Sequence, residues 1–214
     1  MIVDSIPVGM FQCNCYLIGD EKRRTGVLID PGAEGDEILA MVARHGVEIT
    51  DIIVTHAHLD HVCALDPVRA ATNARVHMNP RDLPLFREVS AQGKLFGLRV
   101  EKPADPENSL AHEQRIACGD LTLRIIETPG HSPGSVSVLV EDQAGIVFTG
   151  DTLFAGSIGR TDLWGGSYEE IIESIKARLL PLGRDVTVYP GHGCATTVGE
   201  EKESNPFLVP GLAI

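Results

Sequence analysis

A chain of 214 residues with 43% hydrophobic residues, 22% charged residues and a formal net charge of −12 can bury a substantial core, and its composition is neither disordered nor fibrous. The acidic balance argues against a nucleic-acid or anionic-membrane partner, because such surfaces need clustered Lys and Arg to displace counterions. Residues 1–7 lack the basic start and apolar run of an export signal, and no apolar stretch approaches ~18 residues, so a cytoplasmic protein is expected.

In chain order, the short β-branched runs at 15–18 and 26–29 predict strands, and 34–45 follows a helical pattern. A strand at 52–54 leads into a helical pattern at 62–72. The segment 79–112 carries Pro80, Pro84, Pro103 and Pro106 among polar residues and reads as loop with one short helix, either a lid or an uninvolved surface excursion. Strands at 121–126, 136–140 and 146–148 come next. A helix at 168–180 follows, with Ser167 as N-cap and Glu170 completing a capping-box pattern, and then a strand at 186–189. Hairpins, a strand–helix alternation, hairpins again and a final helix–strand unit predict one layered α/β domain spanning 1–214. Its core is expected between two sheets, with halves that repeat one plan. Cys13, Cys15, Cys63, Cys118 and Cys194 are odd in number and contain no Cys-x-x-Cys pair, so buried reduced thiols are expected, with Cys63 and Cys194 as packing residues.

The chemistry concentrates after strand ends. His56, His58, Asp60 and His61 directly follow the 52–54 run. His56 and His58, two apart in extended backbone, can share one metal, and Asp60 and His61 can serve a second. An isolated His reads as incidental, but three of the chain's 8 His fall in this one hexapeptide, and turn formation has no need of imidazole. Three further strand ends repeat the pattern of apolar run, small residue and ligand-type side chain. They are Thr128-Pro129-Gly130-His131, Thr149-Gly150-Asp151 and Tyr189-Pro190-Gly191-His192.

These residues carry a resemblance. From Asp30-Pro31-Gly32 through the His-x-His-x-Asp-His motif and Gly150-Asp151-Thr152-Leu153-Phe154 to Pro190-Gly191-His192-Gly193, the chain resembles the metallo-β-lactamase fold superfamily. Within it, the chain is similar to the glyoxalase II-like (hydroxyacylglutathione hydrolase) branch. The resemblance implies a four-layer αβ/βα sandwich and two divalent metal ions. His56, His58 and His131 would bind one ion, Asp60, His61 and His192 the other, and Asp151 would bridge them. Zinc suits an imidazole-rich site, with iron or manganese as alternatives. The implied reaction is hydrolysis of a small acyl-thiol such as S-lactoylglutathione by a metal-bridging hydroxide, with Asp60 also orienting or deprotonating the water. A thiol of pKa near ~8.5 leaves without a dedicated acid, whereas an amine would need one, which disfavours lactam cleavage.

Arg160 matches the family's basic substrate-binding residue, while Asp162 stands where an aromatic residue is expected. Arg160 is equally suited to a structural salt bridge, and Lys94, Arg99 and Lys102 are alternative anion contacts. The family's C-terminal helical domain, which completes the glutathione site, is expected to be missing, since Ile214 lies about 22 residues after His192. A persulfide dioxygenase-like mononuclear iron enzyme is the nearest alternative, and a noncatalytic metal-binding scaffold is the second.

Overall fold

The central apolar runs are continuous because both faces of their strands are covered. The computed structural model describes residues 1–141, 145–209 and 211 and contains two six-stranded sheets. The first runs in chain order: β1 (Ile2–Val8), β2 (Cys13–Asp20), β3 (Thr25–Ile29), β4 (Glu48–Val54), β5 (Arg75–Met78) and β6 (Asn108–Ser109). The second is built from β7 (Arg115–Cys118), β8 (Leu121–Glu127), β9 (Val136–Val140) and β10 (Ile146–Gly150). After the small hairpin of β11 (Leu153–Phe154) and β12 (Ser157–Ile158), it adds β13 (Thr187–Pro190) and β14 (Thr196–Thr197).

The period of two decides which neighbour each side chain meets. Leu28, Ile52 and Val54 join the core beneath the helices α1 (Gly35–His45), α2 (Leu59–Val62) and α3 (Leu65–Thr72). Val27, Ile29 and Ile53, one residue out of phase, meet Leu123, Ile125, Val138 and Phe148 of the second sheet. A third core lies between the second sheet and the helix α6 (Tyr168–Ser174) with its wider continuation Ile175–Leu179, where Val147 and Val188 pack on Ile171, Ile175 and Leu179. Helix, sheet, sheet and helix make four layers.

The halves repeat one plan. Antiparallel β1, β2 and β3 pass through α1 to β4, which is parallel to β3; antiparallel β8, β9 and β10 pass through α6 to β13, which is parallel to β10. With two antiparallel steps between them, β8 and β10 point the same way, and β13 joins them. The loops after β8, β10 and β13 therefore emerge at one edge.

Segment 79–112 differs from expectation. Pro80 opens a 3-10 turn and Pro84 falls in the first turn of α4 (Leu83–Arg87), where a missing N–H costs nothing; α5 (Val89–Leu95) follows. The expected helix at 62–72 begins earlier, as two pieces. Ser167 accepts from the Glu170 amide as an N-cap, while the reciprocal capping box falls at Thr197 and Glu200, opening α7 (Val198–Ser204).

Candidate metal centre

Four strand ends and the start of one helix converge on one edge of the sandwich, and all seven candidate ligands arrive there. The turn after β4 places His56 and His58, and α2 begins at once, so Asp60 and His61 fall on its first turn. His131, Asp151 and His192 come from the loops after β8, β10 and β13.

Two groups form. His131 Nε2 lies 2.8 Å from His58 Nδ1 and 3.2 Å from His56 Nε2. Asp60 Oδ2 lies 3.2 Å from His192 Nε2 and 3.8 Å from His61 Nε2. Asp151 stands between the groups: Oδ2 is 3.5 Å from His131 Nε2 and 3.6 Å from His192 Nε2, and Oδ1 is 3.5 Å from His61 Nε2. Burial pushes the His56 and His58 imidazoles toward the neutral, ligating form, His58 down to about 3. Burial raises Asp60 and Asp151, but the facing imidazoles outweigh it and hold both carboxyls below their ordinary range, Asp151 well below.

The outer ring nitrogens are anchored. Thr55 Oγ1 donates to Asp30 Oδ2 at 2.6 Å and meets His56 Nδ1 at 3.1 Å, so it accepts the His56 proton. Asp30 Oδ2 also takes His61 Nδ1 at 2.8 Å, and Asp30 Oδ1 takes the Thr55 amide at 2.7 Å. His131 Nδ1 donates to the Arg160 carbonyl at 2.8 Å, and His192 Nδ1 donates to the Phe11 carbonyl at 3.0 Å. These bonds turn four Nε2 lone pairs inward.

The donor set fits divalent metal ions. His61 Nε2 and Asp151 Oδ1 are buried with no hydrogen-bond partner, an arrangement that costs stability unless something binds them. The donor atoms of His56, His58 and His131 lie within 4.8 Å of one another. The backbone is fitted as closely: a Cβ on Gly32 would sit 1.7 Å from the Asp60 carbonyl oxygen, and one on Gly191 would sit 2.2 Å from Asp151 Oδ1.

Residues with no expected role support this edge. Asp82, fully buried, accepts from the Ala57 amide at 2.9 Å, the Ser132 hydroxyl at 2.7 Å and the Gly134 amide at 2.6 Å, tying the His56 and His131 loops together. Gln92 of α5 accepts the Leu59 amide at 2.9 Å and donates to the Ala57 and Leu85 carbonyls, each at 3.1 Å. Cys13 Sγ lies 3.5 Å from His61 Nδ1, behind the ring, and burial pushes this thiol up to about 12. Asp30 belongs to the Asp30-Pro31-Gly32 signature, the one sequence signal that could have found it. Of the cysteines expected to pack, Cys63 is half-buried and Cys194 is exposed, correcting the reading of the latter; all five are free.

Above the cluster opens a cavity of about 560 Å³ whose walls include Phe11, Phe96, Phe154, Leu163, Trp164 and Arg160. The Arg160 guanidinium makes a two-pronged pair with Asp162, both bonds 2.8 Å, and also lines the cavity. Lys94, Arg99 and Lys102 do not line this cavity, and Lys102 pairs with Asp105 at 2.6 Å. Among the described residues no helix is long and apolar enough to cross a membrane.

Fold and donor cluster together define a class: the chain belongs to the metallo-beta-lactamase superfamily, whose family model matches residues 8–192. It is thereby placed among metallo-hydrolases. Over 97% of this chain and 98% of the other, it is 38% identical to the hydroxyacylglutathione hydrolase GloC of Haemophilus influenzae. The crystal structure of the BLEG-1 B3 metallo-beta-lactamase is similar with a TM-score of 0.90 at 34% identity, covering 97% of this chain and 99% of that one. That of TTHA1623 in a di-iron-bound form is similar with a TM-score of 0.88 at 39% identity, covering 96% and 100%.

Proposed function

We propose that this chain is a dinuclear metal-dependent thioester hydrolase acting on a small acyl-thiol such as S-lactoylglutathione. One observation carries the reading: two imidazole-rich donor groups share Asp151 at the floor of an open cavity, with Asp151 Oδ2 3.5 Å from His131 Nε2 and 3.6 Å from His192 Nε2. In this reading His56, His58 and His131 hold one ion, Asp60, His61 and His192 the other, and Asp151 both. When bound, the ions would make water more acidic and polarise the substrate carbonyl. Zinc is the first choice by donor type, and the di-iron form of a relative supports iron as the rival. The same reading treats 1–214 as one domain.

The protein's own residues do the rest. Asp60, ionised and open to the cavity, orients the attacking water and accepts its proton at a carboxylate oxygen. The water oxygen bonds to the carbonyl carbon, the C–S bond breaks, and sulfur leaves with the bonding pair as a thiolate. Asp60 returns the water proton to that thiolate, and the acid formed gives up its remaining proton to solvent, so the products are a carboxylate and a thiol. The hydroxyacylglutathione hydrolase relative supports this substrate class.

Metal quantification with parallel assays tests the reading. Two metals per chain and hydrolysis of S-lactoylglutathione are expected. One iron per chain with persulfide-dependent O₂ uptake and no hydrolysis would overturn it, as would β-lactam cleavage outpacing thioester cleavage. A chain that retains metal yet turns over none of these substrates would support the scaffold alternative.

A further inference from the structure

The cavity is charged at its floor and apolar at its rim. On one side Leu95 and Phe96 project from the end of α5, 85% and 49% exposed, and Phe96 meets the Phe11 ring edge-on at 5.0 Å between centroids. On the other, the loop after β12 presents Leu163 and Trp164, 36% and 60% exposed. Both sides line the same cavity as His58, Asp60 and His131. Large apolar side chains left in water beside a reactive centre mark a surface that a ligand covers. Glutathione carries two carboxylates, and among the described residues the one Lys or Arg of this lining, Arg160, already faces Asp162 with two 2.8 Å bonds.

We infer that Phe96, Leu163 and Trp164 form a subsite for an apolar acyl chain, so that the preferred substrates are thioesters of medium-length fatty or aromatic acids, with glutathione dispensable as the carrier thiol. The inference rests on the thioester reading above and narrows it. The acyl chain lies between the rims of α5 and the 159–166 loop while its carbonyl reaches the floor. Each methylene taken out of water strengthens binding by about twofold to fourfold until the cavity is filled. A hydroxylated two-carbon lactoyl tail would gain little from such walls.

Trp164 is the only tryptophan of the chain, so its fluorescence reports on this rim alone. The test pairs binding with turnover. S-alkyl thioethers of N-acetylcysteamine, from ethyl to octyl, are titrated against the metal-loaded protein while Trp164 emission is followed. In parallel, kcat/KM is measured for acetyl to octanoyl thioesters of glutathione and of N-acetylcysteamine, with S-lactoylglutathione beside them. The expected result is a dissociation constant tightening about twofold or more per methylene with a blue shift of Trp164, and a matching rise of kcat/KM on both thiols. Phe96→Ala and Leu163→Ala weaken octyl binding, and Trp164→Ala lowers the octanoyl-to-acetyl ratio of kcat/KM. Tyr168→Ala, an exposed residue outside the cavity lining, keeps the wild-type ratio.

Thioester hydrolysis with no chain-length dependence and an unresponsive Trp164 would overturn the subsite and leave the thioester reading standing. Chain-length-dependent binding without hydrolysis of any thioester would do the reverse. Concentration-dependent dimerisation that buries Trp164 and resists competition by the octyl thioether would assign the rim to a second copy of the chain and overturn the proposal.

Discussion

Asp30 holds no place among the seven candidate ligands, yet three hydrogen bonds converge on its carboxylate: the Thr55 amide, the Thr55 hydroxyl and His61 Nδ1. Because the Thr55 hydroxyl gives its proton to Asp30, its oxygen is free to receive the proton of His56 Nδ1. One carboxylate thus sets the tautomer of a ring in each donor group, directly for His61 and through Thr55 for His56. Asp30→Asn puts an amide donor among these protons, so metal retention should weaken about 10–100-fold, read by competition with a chromophoric chelator. Retention unchanged from wild type would show that the rings orient themselves. Asp30 also has φ 53°, a left-handed conformation that aspartate tolerates better than most residues. The candidate ligands were legible in the sequence because each follows a strand end directly. Asp30 also follows a strand end and stands in the Asp30-Pro31-Gly32 signature, but its role was not legible, since its partners stand 25 and 31 residues away along the chain.

Among the elements, α5 matters most to the site. Gln92 stands in for backbone partners that the turn between β4 and α2 cannot find within itself, capping the Leu59 amide and the Ala57 carbonyl. Gln92→Ala leaves that amide without an acceptor, at a cost of about 1–3 kcal/mol. Hydrogen exchange at Leu59 should accelerate accordingly, and exchange at wild-type rate would mean that another group takes over. Helix α5 itself was hard to read in sequence. Its neighbourhood carries several prolines, which read as loop until Pro80 and Pro84 are seen at first turns, where proline starts helical structure. The strands β1, β5 and β7 escaped for another reason: they are short or half-exposed edge elements without a continuous apolar run. The strands β3, β4 and β10 were legible because both of their faces are covered, and β8 because its apolar residues run through most of its length.

At the scale of the whole molecule, the sandwich has its chemistry at one edge and structural charge elsewhere. Asp51, buried on β4, accepts from His77 Nε2 at 2.7 Å and from the Arg75 guanidinium at 3.0 Å. Burial raises its carboxyl, and the bonds to His77 and Arg75 more than offset this, leaving it below the ordinary value. A carboxyl with a folded pKa below its unfolded one, about 4, contributes fully above that pH and loses its contribution as pH falls through the folded value. Urea unfolding should therefore show wild type losing stability more steeply than Asp51→Asn below about pH 4; parallel profiles would assign the acid sensitivity elsewhere. The core between two sheets and the repeated halves were legible from the order of runs, and the four layers from the resemblance. What could not be read was how the halves meet, because that depends on the interlocking of Ile53 with Val138 and Phe148 across the sheets. The same repeat has a consequence for assembly. Under the proposed assignment each ion would draw donors from both halves, His56 and His58 from the first with His131 from the second, and Asp60 and His61 from the first with His192 from the second. Ions so placed would act as a clasp, tying metal binding to the closing of the sandwich.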